Sequence, residues 1–133
     1  MLPAKLHTIK GKAKFDELFK IAVKIKNKDC LALILSEAAQ KETNPGAVCT
    51  IFYAVAVSKK TAKKAVIRNR IKRLLRESLK QLLKEEEVLF GKIGYIVLIW
   101  RWAPVSPGLI GLNVVKQSVK KILNNFQTSI ANK

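Results

Sequence analysis

Apolar and charged side chains between residues 64 and 83 recur with a helical period. At about 100° per residue, Ile67, Ile71, Leu74, Leu75, Leu79 and Leu82 fall in one arc. Arg70, Lys72, Arg73, Arg76 and Lys80 fill the opposite arc, with Arg68 on the border. A helix from about Lys64 to Leu83 is therefore predicted, docked through one face and cationic on the other. The same spacing of Phe15, Leu18, Phe19, Ile21 and Ala22 predicts a first helix in GKAKFDELFKIAV. Val114, Val115, Val119, Ile122 and Leu123 predict a last one in LNVVKQSVKKILNNF. CLALILSE, AVCTIFYAVAVS and YIVLIWR are rich in β-branched and aromatic residues and are predicted as strands.

Asn44, Pro45 and Gly46 mark a turn between the first two strands, and APVSPG is a Pro/Gly loop before the last helix. SKKTAKK is a cationic loop whose Ser58 or Thr61 is placed to cap the helix that follows, and KEEEVLFGKIG closes that helix. The order is α, β, β, α, β, α in a chain of 133 residues, the usual size of one domain. Residues 1–133 form a single domain on this reading, with about 1–8 and 128–133 expected to fray.

Charge changes the picture from fold to partner. The formal net charge is +17, from 26 Lys and Arg against 9 Asp and Glu. Such an excess repels itself in a compact fold unless a polyanion neutralises part of it, so nucleic acid is the expected partner and an anionic membrane surface the second choice. Residues 1–28 carry eight Lys against Asp16 and Glu17, and residues 59–80 carry ten cations against Glu77 alone. A solvated helix face usually alternates signs, because like charges at i,i+4 cost about 0.2–0.5 kcal/mol each. Arg68, Lys72, Arg76 and Lys80 repeat that spacing along one row with no acid in the row, which favours phosphate binding. Arg68, Arg70, Arg73 and Arg76 supply planar forks suited to bidentate phosphate contact. Lys59, Lys60, Lys63 and Lys64 add charge at the helix N-terminus, which itself favours anions.

Other chemistry is thin. Cys30 and Cys49 form no CxxC pair and His7 is the single histidine, so neither a zinc site nor a disulfide framework is suggested. Both thiols are expected to be buried and reduced, in the cytoplasm. The longest apolar run, near YIVLIW, is far short of the roughly 20 residues that span a bilayer, and the N-terminus has no apolar run of signal-peptide length; no membrane span is expected. Catalytic carboxylates would have to come from Asp16, Asp29 and a few Glu, and KEEEV reads as a solvated helix end. Two-metal phosphodiester cleavage needs several converging carboxylates, so an accessory role is expected, with no catalytic residue and no metal ligand in the chain. Trp100 and Trp102 stand on one side of IWRWAP as core or edge-capping residues, and His7 is expected to be solvated.

SKKTAKKAVIRNRIKRLLRES resembles the signature of the bacterial ribonuclease P protein family: a strand ending in a Lys pair, then a helix carrying RNR followed by IKR. Here these are Ser58, Lys59 and Lys60, then Arg68, Asn69, Arg70, Ile71, Lys72 and Arg73. With chain length and element order, the resemblance covers about residues 5–126. It implies an α+β fold, a single α/β sandwich with a four-stranded sheet packed by helices in the order α-β-β-(β)-α-β-α. It also implies a left-handed βαβ crossover where the general rule gives a right-handed one.

The function it implies is that of a protein cofactor in 5′ maturation of tRNA. A catalytic RNA carries the Mg²⁺ ions and the chemistry, and one protein per RNA subunit contacts both ribonuclease P RNA and the 5′ leader of precursor tRNA. Arg68, Asn69, Arg70, Lys72, Arg73 and Arg76 would then dock the RNA subunit. Phe15 and Phe19 look like the family's pair of first-helix aromatics lining the leader cleft, with Lys59, Lys60, Lys63 and Lys64 supplying charge to the leader. Stacking on such rings is worth about 1–3 kcal/mol per base; the residues alone leave ordinary core packing open for the Phe pair. CLALIL departs from the family, having no aromatic where many relatives have one, and Ala22 and Ala54 stand where relatives often have Gly. The rival readings are a structural RNA binder of ribosomal type and a self-sufficient metal-dependent ribonuclease.

Overall fold

The structure is a computed structural model that describes residues 5–9, 12–36, 50–91, 93–104, 108 and 110–131. The turn at Asn44, Pro45 and Gly46, Cys49 and residues 105–107 lie outside the described residues, as do the side chains of Phe15 and Leu18. In chain order the elements are β1 (Lys5–Thr8), α1 (Lys12–Ile21), β2 (Val23–Lys26), β3 (Cys30–Ser36), β4 (Thr50–Val57), α2 (Ala65–Glu85), a 3₁₀ turn (Glu87–Phe90), β5 (Ile93–Trp100) and α3 (Leu112–Ala131).

All three predicted helices and all three predicted strands form. One sheet joins the strands in the order β1-β4-β5-β3-β2. β5 lies parallel to β4 and antiparallel to β3, and α2 connects the two parallel neighbours. Among the described residues the sheet has five strands rather than four. Segment 1–8, expected to fray, supplies β1, which pairs parallel with β4. Leu6 packs against the main core, and Ile9, just past the strand, is buried and donates its N–H to Tyr53 O at 2.9 Å. Similarly, α3 continues past residue 128 to Ala131. Its last turns are held by buried Phe126 and by Gln127 Nε2, which donates to Leu89 O and Gly91 O, both at 2.8 Å.

Strand alternation divides the sheet into two faces. One presents Cys30, Ala32, Ile34, Ile51, Tyr53, Val57, Ile96, Leu98 and Trp100 to α2 and α3. α2 buries the whole predicted arc, together with Ser78, whose Oγ donates to Leu74 O at 2.7 Å. α3 buries Val115, Val119, Ile122 and Leu123, whereas Val114 of the predicted face is exposed. Trp100 is fully buried, with its ring centroid 5.5 Å from that of half-buried Trp102. The other face presents Leu31, Leu33, Leu35, Phe52, Ala54, Ala56, Tyr95, Val97 and Ile99. α1 packs there against β3, and on this side Leu33, Val97 and Ile9 are buried.

Candidate nucleic-acid interface

The loop leading into α2 is held by its own turn. Ser58 O accepts the N–H groups of Thr61 and Ala62 at 3.1 and 3.0 Å. Ser58 Oγ accepts the Thr61 N–H at 3.0 Å and donates to Thr61 Oγ1 at 2.9 Å. Neither hydroxyl therefore caps α2, contrary to the sequence expectation; the N-cap is Lys64, in extended backbone and without a side-chain cap. Arg68 reaches back instead, its Nη1 donating to Ala62 O and Lys63 O, both at 2.9 Å. Lys59, Lys60, Lys63 and Lys64 remain exposed around this turn.

On the outer face of α2, Val66, Asn69, Arg70, Arg73 and Arg76 line a groove of about 660 Å³. Arg70 forms one wall by directing Nε and Nη2 to Ile110 O, at 3.1 and 3.0 Å, which ties the segment before α3 to α2. Arg73 and Arg76 are exposed and have no hydrogen bond or ion pair among the described residues. Of the six residues expected to dock RNA, four thus converge on one groove. Arg68 is engaged with backbone carbonyls and half-buried Lys72 lies outside the groove lining.

The described lining of the groove holds no acid, and the acids at the C-terminal end of α2 are engaged with α3. Lys116 Nζ donates to both carboxylate oxygens of Glu85 at 2.9 Å, and Lys120 pairs with Glu86 at 2.8 Å. KEEEV is therefore not simply a solvated helix end: two of its acids hold α3. Glu77 Oε1 accepts from Gln81 Nε2 at 3.3 Å. Exposed pairs of this kind add at most about 1 kcal/mol, but their position matters more than their strength.

The α1 face of the sheet carries aromatics that the sequence reading did not single out. Register places His7, Phe52 and Tyr95 side by side on β1, β4 and β5. The Phe52 and Tyr95 rings stack with centroids 5.2 Å apart, and exposed His7 lies 6.2 Å from Phe52. β3 itself offers only leucines on this face, in keeping with the absence of an aromatic in CLALIL. The usable signal was the parity of TIFYAVAV and YIVLIW, which sends Phe52 and Tyr95 to one side. Phe19 on α1 is 45% exposed, so it is not an ordinary core residue. Phe52 lies near the start of β4 and Lys59 in the turn past its end, so the strand from Phe52 to Val57 alone separates them by about 17 Å at 3.3 Å per residue, and the lysine turn and the aromatic row are separate features.

Asp29 is structural. Its Oδ1 accepts from Trp102 Nε1 at 2.8 Å and its Oδ2 from Ser118 Oγ. Asn27 Nδ2 donates to Ser118 O at 3.2 Å, so the β2–β3 turn, the segment after β5 and α3 are tied together. Among the described residues no group of three or more His, Cys, Asp or Glu is arranged to hold a metal ion; these residues do not fit a Mg²⁺ site. The Cys30 thiol is pushed up to about 12, chiefly by burial, with a backbone hydrogen bond at Ile99 opposing the shift and the Asp29 charge adding to it. No described helix is long and apolar enough to cross a membrane.

Fold and site together define an α+β protein with one mixed sheet and an acid-free cationic groove on the helix that joins two parallel strands. Residues 3–103 match the family described as Ribonuclease P, and the chain belongs to that family as a protein subunit. Its fold is similar to that of the RNase P protein from Staphylococcus aureus, at 22% identity and a TM-score of 0.59, over 88% of this chain and 92% of that one. It is also similar to the RNase P protein from Thermotoga maritima, at 18% identity and a TM-score of 0.62, over 90% and 96%. A comparison with curated proteins gave no match. Family membership makes the chain part of a tRNA-processing ribonuclease and implies partnership with ribonuclease P RNA.

Proposed function

We propose that the chain is the RNA-binding cofactor of ribonuclease P, docking on the catalytic RNA through the α2 groove and holding the 5′ leader of precursor tRNA on the α1 face of the sheet. The observation that carries this reading is the groove itself: Asn69, Arg70, Arg73 and Arg76 converge, and no acid stands among its described lining residues. Arg73 and Arg76 present unpaired guanidinium forks to phosphates, Asn69 adds an amide, and Arg70 shapes the wall. Exposed Lys59, Lys60, Lys63 and Lys64 lie at the end of the sheet where β4 passes into α2, within reach of RNA on either face. Phe19, Phe52 and Tyr95 offer rings on which unpaired bases stack without sequence readout.

In this reading Mg²⁺ is held by the RNA subunit and substrate, where phosphodiester cleavage takes place, as the family resemblance implies. One protein per RNA subunit, working in the cytoplasm, is the assembly it expects. The test is reconstitution: precursor-tRNA cleavage at limiting Mg²⁺ by the protein alone, the RNA subunit alone, and both. Multiple turnover is expected from the combination only, with assembly weakening steeply as monovalent salt rises. Robust cleavage by RNase-treated protein would overturn the cofactor role. Assembly without any preference for precursor over mature tRNA would favour a purely structural RNA binder.

A further inference from the structure

β2 is an edge strand with the sequence VKIK. Ile25 packs against the main core, so Lys24 and Lys26 point to the α1 face, opposite Leu33 and Leu31. Register extends that face as rows running across the strands. Ala56, Ile99, Leu31 and Lys26 form one row, and Ala54, Val97, Leu33 and Lys24 form the next. Ala56, Ile99 and Leu31 are each only partly buried, a shallow apolar floor. From β4 to β2 it spans three strand spacings, about 14 Å. One end lies beside the turn bearing Lys59 and Lys60; the other ends in lysines.

Lys24, Lys26 and Lys28 are exposed, and none has a hydrogen bond or ion pair among the described residues. The neighbouring acid, Asp29, has both carboxylate oxygens occupied by Trp102 and Ser118. Asp16 and Glu17 lie in the middle of α1, whose C-terminal end leads into β2. Lys24 and Lys26 sit two strand rises apart, about 6.6 Å, and point the same way as the floor.

We propose that Lys24 and Lys26, with Lys28, form a phosphate track for single-stranded RNA that has crossed this floor, so that a leader runs across the strands from the lysine turn to the β2 edge. The inference rests on the leader reading above and adds its direction and its far end. Edge lysines also deter pairing between sheet edges, but that role requires neither the floor nor a common facing with it.

The experiment compares wild type with the double variant Lys24→Gln/Lys26→Gln in the reconstituted holoenzyme. Its substrates are mature tRNA and precursors whose leaders lengthen one nucleotide at a time. Wild-type affinity should rise with leader length in two stages, and the variant should lose only the second, several-fold for long leaders and not at all for short ones. For long leaders its salt slope should fall by about 1.4, the value for two phosphates on a single strand. Equal affinities at every length, equal losses at every length including mature tRNA, or self-association of the variant with leader affinity intact would each overturn the track. If wild type itself ignores leader length, the leader reading fails. The track is then decided by a single-stranded oligonucleotide bound to the protein alone: the same fall in slope upholds it, and no change overturns it.

Discussion

The two faces of the sheet are made from the same strands and put to different uses. Toward α2 and α3, β3, β4 and β5 send Ile34, Ile51, Ile96, Leu98 and Trp100, none of them more than 1% exposed. Toward α1 they send Leu31, Ala54, Ala56 and Ile99, all only partly buried. The first face is closed by two long helices with matching apolar stripes. The second is covered in part by one short helix, and the alanines of β4 leave its floor shallow. The contrast teaches that stability and recognition are separated by strand parity, one residue out of register with each other.

Substitutions on opposite faces test this most strongly. Leu75→Ala, beneath the closed face, should cost about 2–5 kcal/mol of unfolding free energy in a denaturant melt. Ile99→Ala, on the open face, should cost markedly less; equal losses would break the contrast. Within the groove, Arg70 and Arg73 should also differ. Arg70→Ala removes hydrogen bonds from a charged donor and should lower stability by about 1.5–3 kcal/mol as well as weakening RNA assembly. Arg73→Ala should leave the melt within about 0.5 kcal/mol of wild type while reducing the salt slope of assembly by about one. If Arg70→Ala melts like wild type, its bond to Ile110 is not holding the segment before α3.

A last effect is confined to alkaline solution. The Cys30 thiol titrates near 9.0 when unperturbed and near 12 in the fold. Above about pH 9 the unfolded chain therefore releases a proton that the folded chain keeps, and stability falls with rising pH through that window. At neutral pH the contribution is fully present. Cys30→Ala should give a flatter stability curve between these limits than wild type, and parallel curves would show that the thiol ionises without unfolding.

The long elements were legible because their periods are long. All six apolar residues of the predicted α2 arc are buried; CLALILSE and AVCTIFYAVAVS contain β3 and β4, and YIVLIWR covers all of β5 except Ile93 and Gly94. β1 and β2 were not, because four residues at a sheet edge carry too little alternation to stand out, and their pairing depends on partners far along the chain. The cationic face was visible as charge, but not as geometry. Nothing local in RNR tells that Arg70 meets a carbonyl forty residues away, or that Arg68 turns back on its own loop. Phe52 and Tyr95 were missed for a related reason: each belongs to a strand of unremarked parity, and only β4–β5 register makes them a pair.

β5, the last strand along the chain, is also the central one. Until residues 93–100 have been synthesised, nothing can join β1–β4 to β3–β2, because β5 is the strand that pairs with both β4 and β3. Closure of the sheet is thus a late event in the life of the nascent polypeptide, joining segments distant in sequence, which is the slow kind of pairing. α2 with its cationic groove residues leaves the ribosome before the strand that locks it onto the sheet. Its two strongly basic segments, residues 1–28 and 59–80, are both made before the strand that completes the sheet.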